Sequence, residues 1–380
     1  MIQNQRRGSP PKNSNMLSPA KSIFLVGGLS GVLILTMFVG SKATGQSGQT
    51  PTKTSAEPQT PGGGRKSPAQ EEIGDDEVIS VSTTEILLPV TVRDADGRLV
   101  SDLIRTDFKV FEDGLEQPLS DLALRQVPVD VVLMVDSSSS VASNLDDFRR
   151  AVEGFAEKLA SDDRISLIKF DDKVELLQDW TSSRYQLHRA LNRITAGVFT
   201  RFNDALMLAG KEQFSSSRRR HAVIVLTDGI DSGMGYARFE TAMRALLEAQ
   251  ATVYVVSNTV IERQRKSEEL NDLLGGSQSS VKFNQLNIDG LKQGLHVLDL
   301  SESNLAQLTD LTGGRLYKPT SFAALDETYA QVADELRHQY AVYYTPLDKA
   351  RDGRFRRVRV ETKDHSLKVS ARAGYFAPKR

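Results

Sequence analysis

The sequence predicts an α/β protein: a doubly wound, mainly parallel sheet inserted in, or flanked by, a small antiparallel β-sandwich. Three observations predict it. Between residues 127 and 345, short Val-rich runs alternate with segments whose apolar residues recur every three or four positions. That is the pattern of strands buried on both faces and of the helices covering them. On either side of this region the runs shorten, alternate apolar with polar, and are separated by turns such as Asp352-Gly353, as in antiparallel strands. Each flank alone is too small for a core, yet together they supply about seven strands, the number of a small sandwich.

Residues 1–21 carry Arg6, Arg7, Lys12 and Lys21 and no acid. Residues 22–40, centred on the uncharged Ile23–Val39, read as a signal peptide or a transmembrane anchor, with Ser41 and Ala43 suited to a cleavage site. A start at Met16 would make this a compact signal peptide; a start at Met1 favours an uncleaved anchor. Either way the positive flank stays in the cytoplasm. The rest is expected outside, anchored facing the periplasm or cell exterior, or secreted after cleavage. Residues 41–77, rich in Gln, Ser, Thr, Pro and Gly, read as a disordered linker with an acidic end at Glu71–Glu77.

Residues 78–126 hold the first part of the sandwich: VISVSTTEILLPVTVR, in which Leu88, Val90 and Val92 alternate, then Phe108–Phe111 and Leu119–Leu124. Runs at 340–345, 355–361 and 367–375 complete it, with residues 346–380 forming the C-terminal part. In the middle region, Val129–Val135 is an apolar strand ending in Asp136. Helix faces follow at Phe148, Val152, Phe155, Leu159, then at Leu187, Leu191, Ile194, and at Phe202, Ala205, Leu206, Ala209. Ile165–Phe170 is a strand with an edge partner at Val174–Leu177, and Ala222–Leu226 is a buried strand ending in Thr227-Asp228-Gly229. Helix, strand, helix, strand and helix then follow at Phe239–Leu247, Val253–Val256, Leu305–Leu308 (closed by Gly313-Gly314), Arg315–Tyr317 and Phe322–Leu336. An insert at about 258–300 breaks the rhythm, and its pattern assigns it no place.

Lys plus Arg (48) nearly balances Asp plus Glu (49), so no basic field points to nucleic acid. The absence of Cys excludes thiolate metal sites and Cys nucleophiles. His188, His221, His296, His338 and His365 have no ligand spacing. No G-x-S-x-G, Walker A or H-E-x-x-H run occurs. An Asp ending the first parallel strand is also where some phosphotransfer enzymes keep a nucleophile, but Ser138 stands where the neighbouring acid would be. The chain is therefore not expected to be an enzyme.

What remains is an oxygen-rich constellation: Asp136, Ser138 and Ser140 after the first strand, Thr200 before a helix, and Asp228 after the strand at 222–226. Residues two apart in an extended loop point the same way. Mg²⁺ takes near-octahedral oxygen ligands, so two carboxylates with hydroxyls can balance its charge and leave a position for a partner's carboxylate. Singly, each motif reads equally well as a helix cap or a turn. Asp204 reads as a helix-start residue and Asp231 as a solvated or outer carboxylate. The basic run Arg218–His221 reads as a solvated loop, and Trp180 with Tyr185 as packing at a strand end.

DSSSS from Asp136, FTRFNDAL around Thr200 and LTDGID around Asp228 give the middle region a resemblance to von Willebrand factor type A domains, over about residues 127–345. VTVRDADGRLVSDLIRTDFKVFEDGLEQ and QYAVYYTP, DGRFRRVRV and ARAGYF in the flanks resemble bacterial secreted relatives. The resemblance implies a metal-ion-dependent adhesion site at Asp136, Ser138, Ser140, Thr200 and Asp228. Such a site holds Mg²⁺ (or Mn²⁺) and is often completed by a ligand carboxylate. The expected function is an exported binding protein that captures an acidic residue of a protein partner. The alternative is a structural component of an envelope complex whose site merely stabilises.

Overall fold

The structure, a computed structural model, describes residues 85–124, 127–138, 144–214 and 219–379. The leader, apolar segment and linker read at 1–77, the start of the first strand at 78–84, and Ser140 lie outside the described residues. Among the described residues no helix is long and apolar enough to cross a membrane.

The chain opens with four strands: β1 (Ile86–Arg93), β2 (Phe108–Glu112), β3 (Leu115–Gln117) and β4 (Leu119–Leu124). The α/β part then runs through β5 (Val129–Asp136), α1 (Leu145–Lys158), β6 (Arg164–Phe170), β7 (Val174–Thr181), α2 (Arg184–Leu191) and α3 (Phe202–Leu208). It continues with β8 (Arg220–Thr227), α4 (Phe239–Glu248), β9 (Ala251–Ser257), α5 (Thr259–Leu274), α6 (Gln278–Phe283) and α7 (Gln285–Thr312). The last elements are β10 (Arg315–Tyr317), α8 (Leu325–Arg337), β11 (Tyr340–Tyr344), β12 (Phe355–Thr362), β13 (Lys368–Ala371) and β14 (Gly374–Phe376).

The central sheet has the order β10-β9-β8-β5-β6-β7. All neighbours are parallel except the edge strand β7, which is antiparallel to β6. Every residue of β5 is buried because its side chains serve two cores in turn. Val129, Val131, Leu133 and Val135 face α1, α2 and α8, where Tyr329 meets Phe148 and Phe155 edge-on at 6.1 Å each. Val132 and Met134 face Phe202 of α3, Leu246 of α4 and Leu305 of α7.

The flanks form two four-stranded antiparallel sheets, β13-β1-β11-β4 and β14-β12-β2-β3. Leu88, Val90 and Val92 pack against Phe108, Val110, Val358 and Val360 between them. Eight strands thus replace the expected seven. LKVSARAGY breaks after Ala371 into β13 and β14, which lie in opposite sheets. Tyr340–Tyr344, inside the expected boundary at 345, pairs with β1 and β4 in the sandwich.

Three readings need correction or completion. The insert is helical, formed by α5, α6 and the first half of α7; these helical stretches bury only Thr259 and Glu262 of α5, none of α6, and Ile288 and Leu298 of α7, ten residues apart, so the insert shows no continuous apolar stripe. Over its described residues, Arg219–His221, the basic run is not a solvated loop. Arg219 bonds Asp130 at 2.5 Å, and the buried Arg220 donates to the carbonyls of Val127 (2.9 Å) and Leu336 (2.8 Å). These guanidiniums satisfy acceptors around the start of β5 and the end of α8. Trp180 packs near Phe214 with its indole N–H on the Gln213 carbonyl at 3.2 Å, whereas Tyr185 is exposed.

Candidate metal centre

Strand order reverses between β5 and β8: the chain runs outward through β6 and β7, then returns to build β8, β9 and β10 on the other side. The carboxyl ends of the strands at such a reversal leave a crevice. Asp136 closes β5, and Asp228 directly follows β8, paired beside it with Val135 opposite Leu226.

Asp136 is fully buried. One carboxylate oxygen accepts the Ser138 backbone N–H at 3.0 Å and the other the Thr227 hydroxyl at 2.9 Å. Asp228 accepts the Ile230 N–H at 3.0 Å, shaping a turn through Gly229, whose φ is +73°. A Cβ at Gly229 would lie 2.6 Å from the Ser301 hydroxyl, so glycine lets α7 pass close behind the site. Ser301 in turn donates to the Asp228 carbonyl.

Burial pushes the Asp136 carboxyl up to about 6, with Asp171 adding its charge and the bonds from Ser138 and Thr227 opposing. Burial and then the charge of Asp136 push Asp228 up to about 7. Two carboxylates that resist ionising together leave room for positive charge between them. Lys169 does not supply it, being paired to Asp171 at 2.8 Å and Glu175 at 2.9 Å.

Thr200 is buried, and its loop is fastened to the one after Asp228: its N–H donates to the Ser232 hydroxyl and its carbonyl accepts the Ser232 N–H, both at 2.9 Å. The Gly197 N–H donates to the Ser137 carbonyl at 2.9 Å, tying in the β5 loop as well. The structure therefore brings Asp136, Ser138 and Asp228 together and ties the Thr200 loop to them, while Ser140 lies outside the described residues.

Among the described residues no three His, Asp or Glu side chains gather as a metal cluster. The donor set is two carboxylates with hydroxyls, all oxygen, which suits a hard divalent cation. Asn258, at the end of β9 with its N–H on the Thr227 carbonyl at 3.3 Å, is buried with its side-chain oxygen and nitrogen unbonded within the protein. A hydrated ion at this edge suits such an unsatisfied amide.

Sequence reasoning missed the work of three acids. Asp204 does start a helix, but its carboxylate also accepts the N–H groups of Tyr236 (2.9 Å) and Ala237 (2.7 Å). Asp231 accepts those of Asn203 (2.9 Å) and Gly233 (2.8 Å). Asp172 accepts those of Val198 (3.3 Å) and Phe199 (2.8 Å). Only the helix-start position of Asp204 was a local signal; most of the N–H groups these acids clamp lie 26 to 33 residues away.

Residues 130–293 match the family model of the von Willebrand factor type A domain. No curated protein matches the chain. Among solved structures, proximal thread matrix protein 1 from the mussel byssus, with zinc in its MIDAS motif, is 15% identical with a TM-score of 0.41, over 59% of this chain and 49% of that one. This chain thus spans about half the length of that relative. A von Willebrand factor type A protein from Catenulispora acidiphila is 11% identical with a TM-score of 0.41, over 71% and 72% of the two chains. The vWF domain of the type V pili tip protein Mfa5 from Porphyromonas gingivalis is 26% identical with a TM-score of 0.25, over 28% and 39%. The reversal of strand order, the two acids at its edge and the family match all fall on one part of the sequence, and residues 130–293 are a von Willebrand factor type A domain.

Proposed function

We propose that the chain is an exported binding protein that takes Mg²⁺ or Mn²⁺ at Asp136, Ser138, Ser140, Thr200 and Asp228 and captures a carboxylate of a protein partner. One observation carries this reading: Asp136, ending β5 and fully buried, and the half-buried Asp228, directly after the neighbouring β8, stand side by side at the sheet's carboxyl edge, where Thr227 already bonds the Asp136 carboxylate. When bound, the cation supplies the positive charge that these acids lack and that a partner's carboxylate completes. Asp136 is held in place by Ser138 and Thr227, Asp228 by Ile230, and the Ser232 bonds hold the Thr200 loop. The role is binding rather than catalysis. Export, with the apolar segment at 22–40 as signal or anchor, belongs to the same proposal.

Calorimetric titration of the full chain with Mg²⁺ and Mn²⁺ tests it. Wild type should bind, and Asp136→Ala should lose at least about 100-fold in affinity with an unchanged circular dichroism spectrum. A wild-type chain that takes up neither ion sinks the proposal. The mass of the mature N-terminus separates a cleaved signal from an anchor.

A further inference from the structure

We infer that the two loops bearing Thr200 and Asp228 form a rigid apolar collar beside the cation site, and that it selects a protein segment whose acidic residue is flanked by a large apolar side chain. This rests on the reading of the site as a carboxylate trap.

Val198 and Phe199 immediately precede Thr200, and Met234 and Tyr236 follow Asp228 by a few residues. Their exposures are 71%, 47%, 57% and 94%. A lone exposed apolar residue means little; four on two joined loops make a patch of the kind that marks interaction sites. These loops are also fixed. Asp172 holds the backbone of Val198 and Phe199, Asp204 that of Tyr236 and Ala237, and Asp231 that of Asn203 and Gly233. The paired Ser232 bonds to Thr200 join one loop to the other. A Cβ at Gly235 would lie 2.7 Å from the Asp204 carboxylate, so glycine there lets that clamp close.

Apolar side chains on a backbone already ordered lose less freedom on binding than the same side chains on a loose loop. The collar is therefore suited to act as an anchor pocket rather than an adaptable surface. Charge supports the same occupant. The positive charge for the acid comes from the cation itself, since the Arg201 guanidinium, 5.9 Å from the Tyr236 ring centre, is already paired with Asp204 at 3.9 Å and serves to brace the collar. An acid with an apolar neighbour matches both; a polar acidic stretch leaves the collar exposed to water.

A random peptide library displayed on phage, panned on the full chain in Mg²⁺ and eluted with chelator, tests this. The expected result is enrichment of Asp or Glu with an aromatic or large aliphatic residue within two positions. A synthetic copy of the enriched peptide should bind Phe199→Ser and Tyr236→Ser about tenfold more weakly, with Mg²⁺ affinity by calorimetry equal to wild type in both. Met234→Ser serves as a third variant should either fail that metal check. Chelator-eluted acidic peptides without an apolar neighbour, or equal peptide binding by the variants, overturn the collar and leave the carboxylate trap standing. Recovery of no acidic peptide by a chain that binds Mg²⁺ overturns the trap, and the collar with it.

Discussion

At the scale of single residues, stability and the proposed binding pull against each other at the sheet's edge. Asp136 and Asp228 repel where water screens them poorly. In chelator, Asp228→Asn should therefore unfold at higher urea, by about 1 kcal/mol, while losing ion binding; functional sites commonly cost stability in this way. Asp130 at the other end of β5 behaves oppositely. Burial raises its pKa, but the bonds from Arg164 (2.9 Å) and Arg219 (2.5 Å) outweigh that and hold it below the ordinary value. Its folded pKa is the lower one, so its stabilisation is present above the unfolded value near 3.8 and is lost as pH falls below it. Asp130→Ala should cost about 2 kcal/mol at pH 7, since removing one partner strands the others, and should flatten the loss of stability below pH 4 in urea titrations. The placement of Asp136 and Asp228 at strand ends and of Thr200 before a helix was legible in the sequence because apolar runs mark those strands and that helix. Asp204 was legible only as a helix start, because the N–H groups it clamps lie 32 and 33 residues away.

At the scale of elements, β5 was legible in full, since a strand serving two cores is apolar throughout. The insert was not, because helices that bury one or two side chains carry no stripe, and α5 buries only Thr259 and Glu262. The break between β13 and β14 escaped notice because an alternating pattern continues across a strand that changes sheets. The basic run was misread because burial of Arg220 depends on carbonyls of Val127 and Leu336, far away in sequence. The Gly313-Gly314 pair was read as the end of a helix, and Gly313 does cap α7 with φ +77°. Its neighbour has a stricter duty: a Cβ on Gly314 would lie 1.9 Å from the Val253 carbonyl of β9. Gly314→Ala should cost at least about 3 kcal/mol, read as a lowered thermal midpoint.

At the scale of the whole molecule, strands separated by the entire α/β part complete one sandwich, β4 pairing with β11 through Leu124 opposite Tyr340. Contacts so distant along the chain form slowly. Truncation after Thr345 would remove β12, β13 and β14 and uncover Phe108 and Val110. It should make residues 85–124 sensitive to protease while those of the central sheet stay protected, as mass mapping of the fragments would report. The two parts also meet through Arg93 of β1, which bonds Glu335 of α8. One consequence concerns mechanical force. Tension entering at Glu85 would pull along β1, which lies between β13 and β11 and is held to each by a row of transverse hydrogen bonds. Such rows must be sheared together rather than unzipped one by one. A load between Glu85 and a partner captured as proposed at the sheet's edge would therefore be resisted first by the sandwich, as a shock absorber in series with the grip.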